Sequence, residues 1–293
     1  MTPLVSVIIP AYNRAGTVDR SLRSVLNQSV HDFEIIVVDD GSSDNTVSVV
    51  ESFADARIRL LRHDSNLGAG PARNTGMQAA EGDYIAWLDS DDEWFPDKLQ
   101  VQIDAMRQAS SEYQASYTAY EIVQQDFTKI YFSPESDEKK LFLGCDKAPG
   151  STLMFKRALL DDLGFLDTSL RRFEDWDWLL RYCRKYRLLG VDHPVARIYY
   201  NSRRSPAHLE SSTLSFVEKH SEYLQQFGLF RNVVISKRWM EVASYYAQER
   251  NFGKMFRYIL KAYSTYPFPP LNVWSWLVKE ILGMRLSSKF MKR

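Results

Sequence analysis

Carboxylates crowd the ends of two apolar runs in this chain. EIIVVDD stops at Asp39-Asp40, and YIAWLDSDD stops at Asp89-Ser90-Asp91-Asp92. Short runs of apolar or β-branched residues that end abruptly at Asp read as buried parallel strands. In open α/β sheets, ligands bind in the crevice beyond the carboxyl ends of the strands. Two such strands would bring several acidic side chains to one edge, where like charges repel. A divalent cation carrying an anionic ligand, such as a nucleotide diphosphate, would relieve that repulsion. The chemistry these residues suit is metal-assisted handling of a nucleotide diphosphate.

Periodicity supplies the elements that must hold them. Residues 4–10 (LVSVIIP) read as a strand ended by Pro10, and 17–28 as a helix with Val18, Leu22, Val25 and Leu26 on one stripe. Residues 33–39 form the second strand, and Gly41-Ser42-Ser43-Asp44 is a turn that caps a helix over 46–53. A strand over 57–62, a glycine-rich turn over 66–71, a helix over 72–80 and a strand over 84–88 follow. This β-α-β-α-β-α-β order is a parallel sheet with right-handed crossovers. Beyond Trp94 the pattern gives a helix over 96–107, one or two Tyr-rich strands within 114–133 and a polar loop over 133–140. It continues with a short strand at 153–155, helices over 158–163 and 175–186, and a strand over 195–200. From about residue 211 only helices are expected, over 214–227, 234–250 and 253–266. Trp239, Val242, Ala243, Tyr246, Ala262 and Pro267 have the spacing of one tetratricopeptide-like helix pair. A single such unit reads as a helical hairpin packed on the main domain.

The composition is that of an ordinary globular protein, 45% hydrophobic and 25% charged. Lys+Arg and Asp+Glu both number 37, so net charge gives no argument for a nucleic-acid partner. The last stretch is uneven, with Lys279, Arg285, Lys289, Lys292 and Arg293 against the single acid Glu280. Cys145 and Cys183 lack metal-ligand or redox spacing and read as free thiols in a reducing cytoplasm. The N-terminus has no basic region before its short apolar run, so it reads as a first strand and not a signal peptide. No stretch reaches the ~20 apolar residues of a transmembrane helix.

Six motifs stand in order: PAYNR (10–14), VVDDGSSDNT (37–46), NLGAGPARNTG (66–76), GDYIAWLDSDDEW (82–94), PGSTLMF (149–155) and FEDWDWLLR (173–181). On these the chain resembles the family 2 glycosyltransferases, inverting enzymes with the GT-A nucleotide-diphospho-sugar transferase fold. The resemblance covers roughly residues 4–205. It implies an α/β catalytic domain over 1–210, with a nucleotide-sugar half (1–110) and an acceptor half (111–210), and a helical extension over 211–293.

The same resemblance implies roles. Pro10, Ala11, Tyr12 and Arg14 would lie against the donor nucleotide, and Asp40 would read the base through the N3–H of uracil, with Asp39 beside it. Arg73 would lie near the phosphates. Asp89-Ser90-Asp91 matches the DXD position, Asp91 as the direct ligand of Mg²⁺ or Mn²⁺ and Asp89 as a further ligand or nearer the ribose. Asp175 matches the general base, Glu174, Trp176 and Ser151 are acceptor-side candidates, and His208 is a further candidate metal contact. Arg203 and Arg204 are candidate diphosphate clamps. No QxxRW-like motif follows, which favours transfer of a single sugar.

Physical logic agrees with these roles. Inverting transfer at an anomeric carbon needs an in-line hydroxyl, a base for its proton and charge relief on the departing diphosphate. The implied donor is a UDP-linked sugar, and the acceptor a saccharide or lipid-linked saccharide in bacterial surface-polysaccharide assembly. The alternatives are a polyprenyl-phosphate glycosyltransferase, which shares the donor half, and a non-catalytic sugar-nucleotide-binding scaffold. Residues 271–293 place Trp274, Leu277, Val278, Ile281 and Leu282 on one helical face beside late cations. That pattern suits an interfacial helix, giving a cytoplasmic protein peripheral on the inner face of the membrane.

Overall fold

Every residue of β1 (Val5–Ala11) and β2 (Phe33–Asp39) is buried, as strands covered on both faces by helices must be. The structure, a computed structural model, describes residues 2–124, 127–132, 138–144, 150–170, 172–199 and 206–267. Two units separate, Met1–Asn201 and Ser202–Arg293.

In the first unit β1 is followed by α1 (Val18–Leu26), β2, α2 (Thr46–Glu51), β3 (Ile58–Arg62), α3 (Ala69–Ala79) and β4 (Tyr84–Trp87). β2 pairs with β3, and β1 with both β2 and β4, all in parallel. Their carboxyl ends therefore open on one edge. Next come β5 (Glu93–Trp94), α4 (Lys98–Gln108), β6 (Tyr113–Gln124), β7 (Phe127–Tyr131), α5 (Glu138–Leu143) and β8 (Met154–Lys156). α6 (Leu159–Leu163), α7 (Glu174–Cys183) and β9 (Arg187–Tyr199) complete the unit. The sheet order is β3-β2-β1-β4-β8-β6-β9-β5, with β7 on β6. β8 runs antiparallel to β4 and β6, whereas β6 and β9 are parallel. The sheet is mixed, and its first half is the parallel part that the apolar runs announce.

Several elements differ from the sequence expectation, among them α5, which begins inside the stretch read as a polar loop, and α8, which begins before 214; three others differ for identifiable reasons. Pro10 does not end β1, which continues to Ala11. Pairing with β4 stops at Ile8, so Pro10 adds to the β2 side of the ladder only. β9 starts at Arg187 rather than 195, and its Pro194 sits where the register with β6 is irregular. α7 ends at Cys183, and Tyr182 fixes the turn that follows. Its hydroxyl accepts from the amides of Gln114 and Ala115, both at 3.0 Å, and donates to the Arg187 carbonyl at 2.7 Å. Trp178 closes the core beneath β4 and β8, 4.7 Å from the Phe155 ring and 6.0 Å from that of Trp87.

The second unit holds α8 (Pro206–Gln225), α9 (Leu229–Gln248) and α10 (Phe252–Thr265). The domain boundary expected after residue 210 falls inside α8. That helix opens on Pro206, whose fixed φ suits a first helical position. The hairpin of α9 and α10 has the aromatic core that the spacing indicates, with Tyr258 ring centroids 5.8 Å from Trp239 and 5.9 Å from Tyr246. Glu210 of α8 accepts hydrogen bonds from both tyrosine hydroxyls, Tyr246 and Tyr258. Among the described residues no helix is long and apolar enough to cross a membrane. The interfacial helix expected over 271–293 lies outside the described residues.

Candidate active site

Parallel strand ends bring both acidic runs to one edge. Asp39 is the last residue of β2, and alternation along a strand sends Asp39 and Asp40 in different directions. Asp40 is engaged within the protein. Its Oδ1 lies 2.7 Å from His63 Nδ1 and accepts from the Leu67 amide at 3.0 Å, while Oδ2 accepts from the Gly68 amide at 2.7 Å. This carboxylate pins the glycine-rich turn before α3. Gly41 permits the turn beside it, because at φ 73 a Cβ would lie 2.7 Å from the Ser65 carbonyl carbon. Asp39 is different. Its Oδ2 meets the Ser42 amide at 3.3 Å and Arg62 Nε at 3.4 Å, while buried Oδ1 has no hydrogen-bond partner among the described residues. A buried acceptor left bare is costly unless a ligand satisfies it.

The loop after β4 is held from behind. Asp92 is buried, with Oδ2 accepting from the Ser151 hydroxyl at 2.5 Å and Oδ1 from the Tyr199 amide at 3.0 Å. Burial and the charge of Asp89 push the Asp92 carboxyl well above the usual carboxylate range. Ser21 donates to the Asp92 carbonyl at 2.7 Å, and Arg20, its guanidinium 3.6 Å over the Tyr199 ring, donates to the Asp91 carbonyl. Asp91 is left facing outward, its side chain 35% exposed and 3.5 Å from Arg14 Nη2. Burial, then the charge of Asp89, raises its pKa. That unrelieved repulsion suits a hard cation held by one or two carboxylates with diphosphate oxygens completing the shell. Among the described residues no group of three or more metal-ligating side chains stands together, and a cation shared with a diphosphate needs none.

Arg73 joins this loop to a second acidic motif 101 residues away. Its Nη2 donates to Asp89 Oδ1 at 2.6 Å and its Nη1 to Glu174 Oε1 at 3.2 Å, with only 6% of the side chain exposed. Despite burial, the charges of Asp89, Glu174 and Asp175 hold it protonated. Arg73 is thus a clamp between carboxylates. Two glycines make room. A Cβ on Gly70 would come 3.1 Å from Glu174 Cγ, and one on Gly150 3.1 Å from Arg73 Nη2. α7 is entered through Phe173 in the left-handed region at φ 68, a strained conformation for a bulky residue. Asp175, half-buried in the first turn of α7, accepts from the Trp176 amide at 2.8 Å. Burial and the neighbouring Asp175 charge push Glu174 up to about 7, against the opposing pull of Arg73.

The other candidates divide. Tyr12, 42% exposed, and Arg14 line the open edge, Pro10 and Ala11 form the wall behind it, and Ser90 is buried. The acceptor-side candidates Glu174, Trp176 and Ser151 are all buried, with Ser151 donating to Asp92 and Trp176 packed 5.4 Å from Phe173. Residues 203 and 204 lie outside the described residues, as does the His208 side chain, although its backbone belongs to α8. Sequence reasoning assigned no role to Asp92, Arg20, Ser21 or His63. Only His63, one residue past β3 at the same edge, carried a positional signal.

Comparisons with known proteins bear on the family and the fold. A family model described as Glycosyl transferase family 2 matches residues 6–164. WfgD of Escherichia coli, a UDP-Glc:alpha-D-GlcNAc-diphosphoundecaprenol beta-1,3-glucosyltransferase, is 34% identical over 231 residues, 67% of this chain and 90% of the relative. The crystal structure of S. aureus TarS 1-349 in complex with UDP-GlcNAc matches with a TM-score of 0.60 at 17% identity, over 94% of this chain and 86% of that one. The mannosyltransferase PcManGT from Pyrobaculum calidifontis, in complex with GDP-Man and Mn2+, matches with a TM-score of 0.60 at 20% identity, over 96% of this chain and 87% of that one. The fold is GT-A.

The raised Glu174 carboxyl has a measurable consequence. Between its ordinary value of 4.5 and about 7 the folded state holds more protons than the unfolded chain. The stability this group contributes is therefore present below 4.5 and lost as pH rises through about 7. The melting temperature of the wild type should fall between pH 5 and pH 8, and Glu174→Gln should flatten that part of the fall. Parallel curves for the two proteins would show that Glu174 is an ordinary ionised partner of Arg73.

Proposed function

Because the chain belongs to glycosyl transferase family 2, we propose that it moves one sugar from a UDP-sugar, with metal assistance and inversion, onto a saccharide or lipid-linked saccharide in bacterial surface-polysaccharide assembly. The observation that carries this reading is the Arg73 clamp, which holds the DXD-position loop and the Glu174-Asp175 motif on either side of one guanidinium. A base and a diphosphate site must be fixed relative to each other for in-line displacement, because misplacement by an ångström is costly in rate.

Asp175 takes the acceptor hydroxyl's proton as that oxygen attacks the anomeric carbon, opposite the departing diphosphate. The new C–O bond forms as the bond to the diphosphate oxygen breaks, which inverts the configuration. Mg²⁺ or Mn²⁺ bound at Asp91 would neutralise charge on the diphosphate. Glu174 keeps Arg73 oriented. Arg14, beside Asp91, lies where a phosphate would take over its ion pair. The base-reading acceptor is at the Asp39–Asp40 strand end, Asp40 with Asp39 beside it, which suits the N3–H of uracil. The donor and lipid-diphosphate acceptor named for the Escherichia coli relative support the substrate class. Work on such an acceptor would place the protein peripherally on the inner face of the membrane.

Three variants separate the roles. Asp91→Ala removes the outward carboxylate, so turnover should fall by orders of magnitude; retention of full activity in EDTA would exclude the metal role. Asp175→Asn keeps the shape and loses the base, so the rate should drop by ~10²–10⁴ while donor affinity stays. Collapse of donor binding in that variant would make Asp175 structural. Isothermal titration with UDP, GDP, dTDP and CDP should favour UDP over CDP, since cytosine offers an acceptor where uracil offers a donor. Asp40→Asn should erase that preference, and a wild-type preference for CDP would remove Asp40 from the role.

A further inference from the structure

α10 has two apolar faces, and the hairpin buries only one. Met255, Tyr258 and Ala262 are buried. At about 100° per residue, Phe252, Phe256, Ile259, Leu260 and Tyr263 fall within a second arc about 100° wide. Phe252 is 46% exposed, Phe256 59% and Leu260 70%. Large apolar side chains exposed together along one stripe mark an interaction surface.

The charge around this stripe selects its occupant. α10 contains Lys254, Arg257 and Lys261 and no acid of its own. The acid-free stretch runs from Arg250 to Lys279, bounded by Glu249 and Glu280. On the helical wheel Arg257 is the cation nearest the apolar arc, whereas Lys254, 3.9 Å from Glu210, and Lys261, 3.7 Å over the Trp239 ring, lie across the helix. An exposed apolar stripe on an acid-free, net cationic helix is the composition of a helix lying in a membrane interface. A second copy of this face would bring cation against cation. An acidic protein groove could neutralise the cations, but a flat stripe about two turns long fits a planar surface as well as a groove, and the cationic residues near the end of the chain add charge of the same sign.

We propose that α10 is a membrane-seating helix, its Phe252–Phe256–Leu260 stripe entering the headgroup region of an anionic phospholipid bilayer while Arg257, at the border of the stripe, binds lipid phosphate. This goes beyond the transfer reaction and stands without it, since the surface lies on a different unit from the Asp39–Asp91–Asp175 edge. The seating is electrostatic and apolar together, so it requires both lipid charge and the exposed rings.

Co-sedimentation of the full chain with phosphatidylglycerol-containing and pure phosphatidylcholine vesicles tests it. The wild type should bind the anionic vesicles and be released by high salt, because surface attraction is screened. Phe256→Ser/Leu260→Ser should lower the partition coefficient at least tenfold. Arg257→Gln should lower it about fivefold, as one interfacial charge implies. Both sites are exposed, so melting temperature and donor turnover should stay at wild-type values; loss of donor turnover alone would instead implicate the reaction scheme. Vesicle binding unchanged by Phe256→Ser/Leu260→Ser would overturn the proposal, as would no preference for anionic lipid. A drop in melting temperature or oligomeric mass with unchanged vesicle binding would also overturn it, showing that the stripe is covered by protein.

Discussion

A buried guanidinium surrounded by carboxylates is the constraint on which the site depends. Parallel strands must end on one edge, and this chain ends them in acid, so repulsion is built into the fold. Arg73 answers part of it, bonded to Asp89 and Glu174 and within electrostatic reach of Asp175. Taking such a cation out of water costs several kcal/mol, and removing one partner of a buried pair costs about 3–5 kcal/mol. A buried ion pair is weak evidence for stability by itself. Its value here is positional: the planar fork of arginine holds two carboxylates in fixed directions, which lysine cannot do. Gly70 and Gly150 are necessary to the same arrangement, because a side chain at either would press on Glu174 or Arg73.

Around that clamp the carboxylates divide their labour pairwise. Asp40, Asp92 and Glu174 are tied by internal hydrogen bonds. Their chain neighbours Asp39, Asp91 and Asp175 keep either an unsatisfied oxygen or an outward face. Adjacent residues leave a strand end or a helix start in different directions, so a pair of acids can supply one anchor and one working group. The anchors also create the electrostatics, since burying Glu174 beside Asp175, and Asp92 beside Asp89, makes ionising the whole set unfavourable. A cation and a diphosphate entering together would remove that penalty, which couples donor binding to the ordering of the edge.

Strain is placed where precision is needed. Phe173 in the left-handed region costs about 1–3 kcal/mol for a residue of its bulk, and its backbone delivers Glu174 and Asp175 at the first turn of α7. Packing behind it offsets that cost, through Trp176 against Phe173 and Trp178 against Trp87 and Phe155. In the second unit the aromatic contacts of Trp239, Tyr246 and Tyr258 use one face of α10 and leave the other to its surroundings.

The sequence by itself determined the parallel half of the sheet, because unbroken apolar runs such as 35–38 can only be buried on both faces, and it determined which edge carries the acids. It also determined the helical hairpin, whose Trp239, Tyr246 and Ala262 are all buried. The first part of β9 escaped it because exposed residues and Pro194 interrupt the apolar pattern there, and only pairing with β6 makes 187–194 a strand. Nor did it decide which member of each acidic pair is free. Asp40 rather than Asp39 meets the amides of Leu67 and Gly68, and Ser151 turns inward to Asp92, because of contacts 27 to 59 residues apart in the chain. Spacing reports which residue types reach an edge, whereas the direction in which each points is set by partners that only the folded chain brings within hydrogen-bond distance.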